Sequence, residues 1–212
     1  MKNIIAHLLQ KISYSLPLFF VITTLLLTLF VPNQAIAHPH VFVDSSLTFE
    51  FDSLGLKGVR QKWWFDEMFA SMILGEFDAD HNNKLSKEEA KALKEGAFVN
   101  LKNFNYFTTI LVDGQPYTIT EATEFIPSIE GHTLVYNFFI PCNVKENDKK
   151  HTIVATNRDE TLYTAFQIDP KNKIKNLPET LDAQLDFDIV EELTSPITQM
   201  APEAAFLTFG PK

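Results

Sequence analysis

The sequence predicts an α+β fold of mainly β character, a small sandwich or curved antiparallel sheet with one helix-loop-helix inserted into it. Three observations carry that prediction. Short runs of two-residue alternation recur through most of the chain beyond residue 40. The segment 65–104 breaks the pattern with apolar residues at steps of three and four. At its centre, Asp78 to Glu89 sets oxygen-bearing side chains at the intervals of a cation loop.

Residues 1–37 read as a secretory signal. Lys2 and Lys11 lie in a positive leader, an apolar run follows through Leu25, Leu26 and Leu27 to Val31, and Pro32 with Ala35-Ile36-Ala37 supplies a small-x-small cleavage site. The run is short and threonine-interrupted for a membrane span, which needs about 20 apolar residues; an uncleaved anchor is the alternative. Cleavage after Ala37 gives a periplasmic chain, 38–212, with no membrane span. Losing the two lysines leaves 16 basic against 27 acidic residues. That balance excludes nucleic acid as a partner class and suits cation handling. Cys142 is the only cysteine and cannot form an internal disulfide. Folding must therefore rest on the core, for which 12% aromatic residues in a single domain suffice.

The first strand follows. Val41, Val43, Leu47, Phe49 and Phe51 alternate with Asp44, Ser46, Thr48, Glu50 and Asp52. Gly55 and Gly58 bracket a turn region, and 59–64 returns as a second strand. After the insert, strands are expected over 106–112, turned by Asp113-Gly114 into 117–120, then over 133–140, 152–156, 162–168 and 185–190. The tail beyond Pro196 gives no strand signal.

Within the insert, Phe65, Met68, Phe69, Met72, Ile73 and Phe77 form the apolar stripe of an entering helix, and Ala90, Leu93, Ala97, Leu101 and Phe104 that of an exiting one. Asp66 and Glu67 fall at the start of the first, where carboxylates accept from free N–H groups and oppose the dipole. Between them the loop resembles an EF-hand. Asp78, Asp80 and Asn82 occupy positions one, three and five, the Lys84 carbonyl position seven, Ser86 position nine and Glu89 position twelve. Calcium needs six to eight oxygens from a chain that wraps it, and this spacing supplies them. Leu85 at position eight is the apolar residue that turns inward. Asn83 stands where the pattern wants glycine, and asparagine tolerates the left-handed backbone better than most residues. There is no second loop of this kind, so pairing of hands would require a homodimer. A lone hand is expected to bind on the order of 10⁻⁴ to 10⁻³ M.

Cleavage after Ala37 would expose His38-Pro39-His40. A terminal histidine offers both amine and imidazole to Zn²⁺, Ni²⁺ or Cu²⁺, and His40 could add a further nitrogen. Pro39 has no amide hydrogen to lose, which blocks the site built on two deprotonated amides. His132 and His151 are alternative donors, and His81 at loop position four points to water in this reading. The same segment also reads as a solvated leader to the first strand.

Taken together, Ala37 through Asp44, Trp63-Trp64-Phe65-Asp66-Glu67, the Asp78 loop, Tyr106-Phe107-Thr108 and the stretch 159–166 resemble a bacterial family of unknown function, domain-of-unknown-function family 1007. Members are labelled as the periplasmic component of an uncharacterised ABC-type transport system. The resemblance implies a link to transition-metal transport and an inner-membrane metal transporter as partner. The expected function is that of a non-enzymatic, exported metal-binding accessory protein, with Ca²⁺ in the loop and a transition metal at His38 and His40. The alternatives are a copper-dependent oxidative enzyme using the amino-terminal histidine, and a purely structural calcium module docking through Trp63-Trp64.

Overall fold

The structure is a computed structural model and describes residues 40–171, 173–196 and 199–212. The signal read at 1–37 and His38 lie outside the described residues. Two sheets share one core. In chain order come β1 (Val41–Asp52), β2 (Gly55–Phe65), helix α1 (Glu67–Phe77), helix α2 (Lys87–Gly96), a kinked 3₁₀ stretch (Phe98–Phe107) and β3 (Thr108–Val112). There follow β4 (Gln115–Pro116), β5 (Thr123–Glu130), β6 (Thr133–Lys145), β7 (His151–Asn157), β8 (Thr164–Ile168) and β9 (Lys173–Lys175). Last come β10 (Leu181–Ile189), a 3₁₀ turn (Glu191–Leu193) and β11 (Glu203–Pro211).

The first sheet runs β5-β6-β2-β1-β8, with β9 also on β1; the second runs β10-β11-β7-β3-β4. The alternation in β1 does what its period requires: every second residue from Val41 to Phe51 is buried, and the residues between face outward. Leu47, Phe49, Val59, Trp63, Phe138 and Ile140 from the first sheet meet Ile110, Ile153, Leu207 and Phe209 from the second. Trp63 anchors this layer, with Phe138 edge-on at 4.9 Å and Phe166 at 5.1 Å. Phe51 and Phe209 close it at the other end, edge to face at 5.1 Å.

A few polar groups are buried between the sheets and tie them in register. Gln61 accepts from Trp63 Nε1 at 3.3 Å and donates to Thr108 Oγ1 at 3.4 Å, while Asn157 Nδ2 donates to the same hydroxyl at 3.1 Å. Buried polar groups persist where they find partners, and these link β2, β3 and β7.

Several expectations are corrected. The sheet is not wholly antiparallel: β1 pairs in parallel with β8 and with β9. Parallel neighbours need a crossover, and the chain provides one by passing from β7 in the second sheet to β8 in the first. Gly55 and Gly58 lie within β2, not around a turn. Gly55 has φ +129°, and a Cβ there would meet the Val144 carbonyl oxygen at 2.4 Å. The exiting helix stops at Gly96 rather than running to Phe104, which is exposed. The strand expected from Tyr106 begins at Thr108, because Asn105, Tyr106 and Phe107 all have positive φ (51°, 52° and 46°). Only Gln115–Pro116 pairs where 117–120 was expected. Strands β5, β9 and β11 are additional to those the sequence pattern predicts. Of the two adjacent tryptophans, Trp63 is buried, so it offers no docking surface; Trp64 donates to Glu130 at 3.0 Å. Among the described residues no helix is long and apolar enough to cross a membrane.

Candidate metal centre

The centre is built on the connection between β2 and β3, which carries the chain from the first sheet to the second. Asp66 starts α1 with extended backbone, and its Oδ1 accepts from Phe69 N–H at 2.9 Å. Its Oδ2 accepts from Phe42 N–H at 2.8 Å, and Asp66 N–H donates to the Phe42 carbonyl at 3.0 Å. One side chain thus caps the helix and pins it to β1. Ala70 and Ile73 are the buried residues of α1, and Leu93 that of α2. The two helices approach closely at Gly96, where a Cβ would lie 2.9 Å from the Phe77 ring.

Helix α1 ends at Asp78, which is buried although charged. Its Oδ1 accepts from Asn82 N–H at 3.2 Å and its Oδ2 from Asn83 N–H at 2.9 Å. The chain can turn back on that carboxylate because His81 and Asn83 are both left-handed, with φ of 54° and 57°. Asn83 therefore adopts the conformation for which glycine is usually required at this position. Asp80 Oδ1 accepts from Asn82 N–H at 3.2 Å, and its Oδ2 from the Asn82 side-chain amide at 2.7 Å.

Helix α2 opens with a reciprocal cap. Ser86 Oγ accepts from Glu89 N–H at 3.2 Å while Glu89 Oε2 accepts from Ser86 N–H at 2.8 Å. The other oxygen, Oε1, reaches back across the loop to Ala79 N–H at 2.8 Å. The Ser86 amide first, then its hydroxyl and the amides of Ala79 and Asp80, hold the Glu89 carboxyl below its ordinary value. Glu89 thus closes the ring of twelve residues on itself.

One carboxylate oxygen from each of Asp78, Asp80 and Glu89 lies within 4.8 Å of the others. Carboxylate oxygens are hard donors suited to Ca²⁺ or Mg²⁺, and a larger, flexible ring favours Ca²⁺. Asn82 and the Lys84 carbonyl belong to the same loop. The Ser86 hydroxyl is engaged in capping, which leaves position nine to water, as is common in such loops. Leu85 is half-buried and packs on the core. The loop's amide contacts, such as Ala79 N–H on Glu89, carry no residue signature, so only the fold reveals them.

The histidines are distributed differently. His40 is exposed; its N–H donates to the Tyr163 carbonyl at 2.8 Å, and its ring lies 5.1 Å from that of Tyr163. His151 pairs through Nδ1 with Asp113 Oδ2 at 2.8 Å and its ring packs on Phe209, while its Nε2 is buried without a hydrogen-bond partner. The Thr152 amide and then His151 hold the Asp113 carboxyl below its ordinary value. His132 sits on the β5–β6 turn. With His81 and Asp78 it lines a cleft of about 210 Å³ between that turn, the loop and α1.

The profile of a protein of unknown function (DUF1007) matches residues 23–199. An uncharacterized protein of Haemophilus influenzae is 27% identical over 154 residues, covering 71% of this chain and 72% of that relative. An uncharacterized 15.5 kDa protein encoded in the trpE 3′ region of Spirochaeta aurantia is 25% identical over 135 residues, covering 63% of this chain and 96% of that relative. The chain therefore belongs to the DUF1007 family.

Proposed function

We propose that this chain is an exported, periplasmic metal-binding accessory protein whose Asp78–Glu89 loop is an EF-hand-like calcium site. The observation that supports this reading is the convergence of carboxylates from loop positions one, three and twelve within 4.8 Å. The carboxylates are held charged by backbone amides, and a divalent cation would be attracted to the negative charge they gather. Asp78, Asp80, Asn82, the Lys84 carbonyl and Glu89 would hold it, with position nine completed through water beside Ser86. When bound, calcium supplies positive charge at the centre of the loop. The chain's own part is to pre-form the ring. Asp78 orients through the Asn82 and Asn83 amides, and Glu89 through those of Ala79 and Ser86.

The function is non-enzymatic in this proposal. Calcium stiffens the insert, and a transition metal is held or passed to an inner-membrane transporter, with His38 and His40 as donors. Two hands could pair in a homodimer. Calorimetric titration with calcium, on wild type and Glu89→Gln, tests the loop; loss of binding heat in the variant is the expected result. Mass spectrometry of the exported protein tests whether His38 is the first residue, and an intact leader would remove the chelating amine.

A further inference from the structure

A space that packing leaves open lies between the end of the first sheet and the helical insert, with a volume of about 200 Å³. Its lining runs from buried Val41 and Ile73 to Tyr163, which is exposed, so the space opens to solvent on that side. Two sets of rings wall it. Phe69 and Tyr136 flank Phe65 at 4.9 and 4.8 Å, and Phe107 lies 5.7 Å from Phe166. No ring of the first set touches one of the second among the described residues, and Ala97, just beyond α2, offers the cavity only a methyl group. We infer that this cavity binds a small, uncharged molecule of one aromatic ring bearing a hydrogen-accepting oxygen, held by the surrounding rings and by the Tyr136 hydroxyl.

Volume sets the size of the guest. Protein interiors leave few voids larger than a water molecule, whereas an apolar cavity of about 150 Å³ stays dry and accepts benzene. At about 200 Å³ there is room for a ring and a short substituent. The lining sets the charge. It contains no Asp, Glu, Lys, Arg or His, so an ionised guest would lose its hydration and gain no partner. The rings on both walls suit an aromatic guest, which can present its face to some and its edge to others. Tyr136 supplies the polar contact. The residue is only 3% exposed, yet its hydroxyl makes no hydrogen bond among the described residues. Buried tyrosine hydroxyls usually find a partner. Ser45 Oγ, His151 Nε2 and Asn157 Oδ1 are sealed without one, but the Tyr136 hydroxyl keeps accessible surface, and the cavity is what so buried a residue has left to face. Burial pushes its pKa up, so at neutral pH it is a donor waiting for an acceptor.

The inference is independent of metal binding at the loop. Acetophenone, ethylbenzene and benzoate are titrated in turn into the purified, ¹⁵N-labelled full chain, and amide shifts are followed by NMR. Acetophenone should bind in the millimolar range or tighter and shift the amides of Ile73, Ala97, Phe107 and Phe166. Ethylbenzene, of similar shape without the oxygen, should bind about fivefold more weakly, the loss of one hydrogen bond. Benzoate should not bind. Tyr136→Phe should bring acetophenone down to the affinity of ethylbenzene and leave ethylbenzene unchanged. Ala97→Leu should fill the space and abolish binding of both, in a protein whose near-ultraviolet circular dichroism shows it folded. Glu89→Gln should lose calcium and still bind acetophenone, so the failure of one reading leaves the other standing. The inference is overturned if acetophenone shifts none of these amides, if Tyr136→Phe binds it as well as wild type does, if benzoate binds equally, or if folded Ala97→Leu retains the affinity.

Discussion

Calcium should raise the melting temperature of this protein by an amount that the loop's architecture bounds. The donor set contains three carboxylates, position nine is left to water, and the hand has no second loop within the chain. On the proposed calcium reading such a site would bind as extracellular hands do, with Kd of about 10⁻⁴ to 10⁻³ M. At about 5 mM calcium, linkage then stabilises the folded state by about 1 to 2 kcal/mol, which for a chain of this size is a shift of about 2 to 9 °C. Glu89→Gln is the informative perturbation because glutamine keeps an acceptor for the Ser86 amide and so preserves the cap of α2. It removes the charge and the second acceptor oxygen, the one that takes the Ala79 amide. Differential scanning calorimetry in chelator, in calcium and in magnesium should show a calcium-specific shift in wild type and none in the variant, which melts lower than wild type in chelator by the loss of the Ala79 contact. An equal shift in both proteins, or none in wild type, would refute the assignment.

Four further outcomes follow from the geometry. Asp66→Ala removes the acceptor for both Phe69 and Phe42 and should cost about 1 to 2 kcal/mol in urea denaturation, with Asp66→Asn recovering part of the loss. Because the folded-state pKa of Glu89 is lowered, its contribution to the loop is complete above the ordinary carboxylate range and is lost as pH falls through the depressed value. A carbon-detected NMR titration should put its midpoint below that of an ordinary glutamate. Burial pushes the Cys142 thiol up to about 12, so a disulfide reagent at pH 8 should label it only after unfolding. Truncation before Glu203 removes β11 from between β7 and β10 and should abolish the cooperative thermal transition followed by near-ultraviolet circular dichroism.

How much of this could be read from the chain depended on whether one face of an element meets water. Strand β1 was legible because its outer residues are polar, and α2 because Ala90, Leu93 and Ala97 recur at helical steps. Strand β11 was not. It lies between two others, and Ala204, Ala205, Leu207 and Phe209 are all buried, so the alternation that marks a half-exposed strand is weak. Strand β5 was missed for the opposite reason. It is an edge, interrupted by Pro127 and by an irregular register, and its Ile126 is exposed. The loop's ligand spacing is local and could be counted. That His81 and His132 line one cleft depends on a hairpin folded back from a distant part of the chain, and no local pattern announces it.

The position of the insert explains why a loop there could matter to the whole domain. It is the chain's only passage from β2 to β3, and its two ends are held by different sheets. At the entrance, Asp66 is bonded to Phe42 of β1 in both directions. At the exit, the Phe107 carbonyl accepts from Arg158 N–H at 2.8 Å, and Thr108 receives Gln61 and Asn157 in the buried polar network. The three left-handed residues just before Thr108 hold a sparsely populated conformation, which persists only where surrounding contacts over-determine it. A helix pair clamped in this way has little freedom to swing apart. Charge neutralisation at Asp78, Asp80 and Glu89 would therefore be expressed as stiffening of α1 against α2, and as a firmer wall for the cleft beside His81 and His132, rather than as a wide opening of the hand.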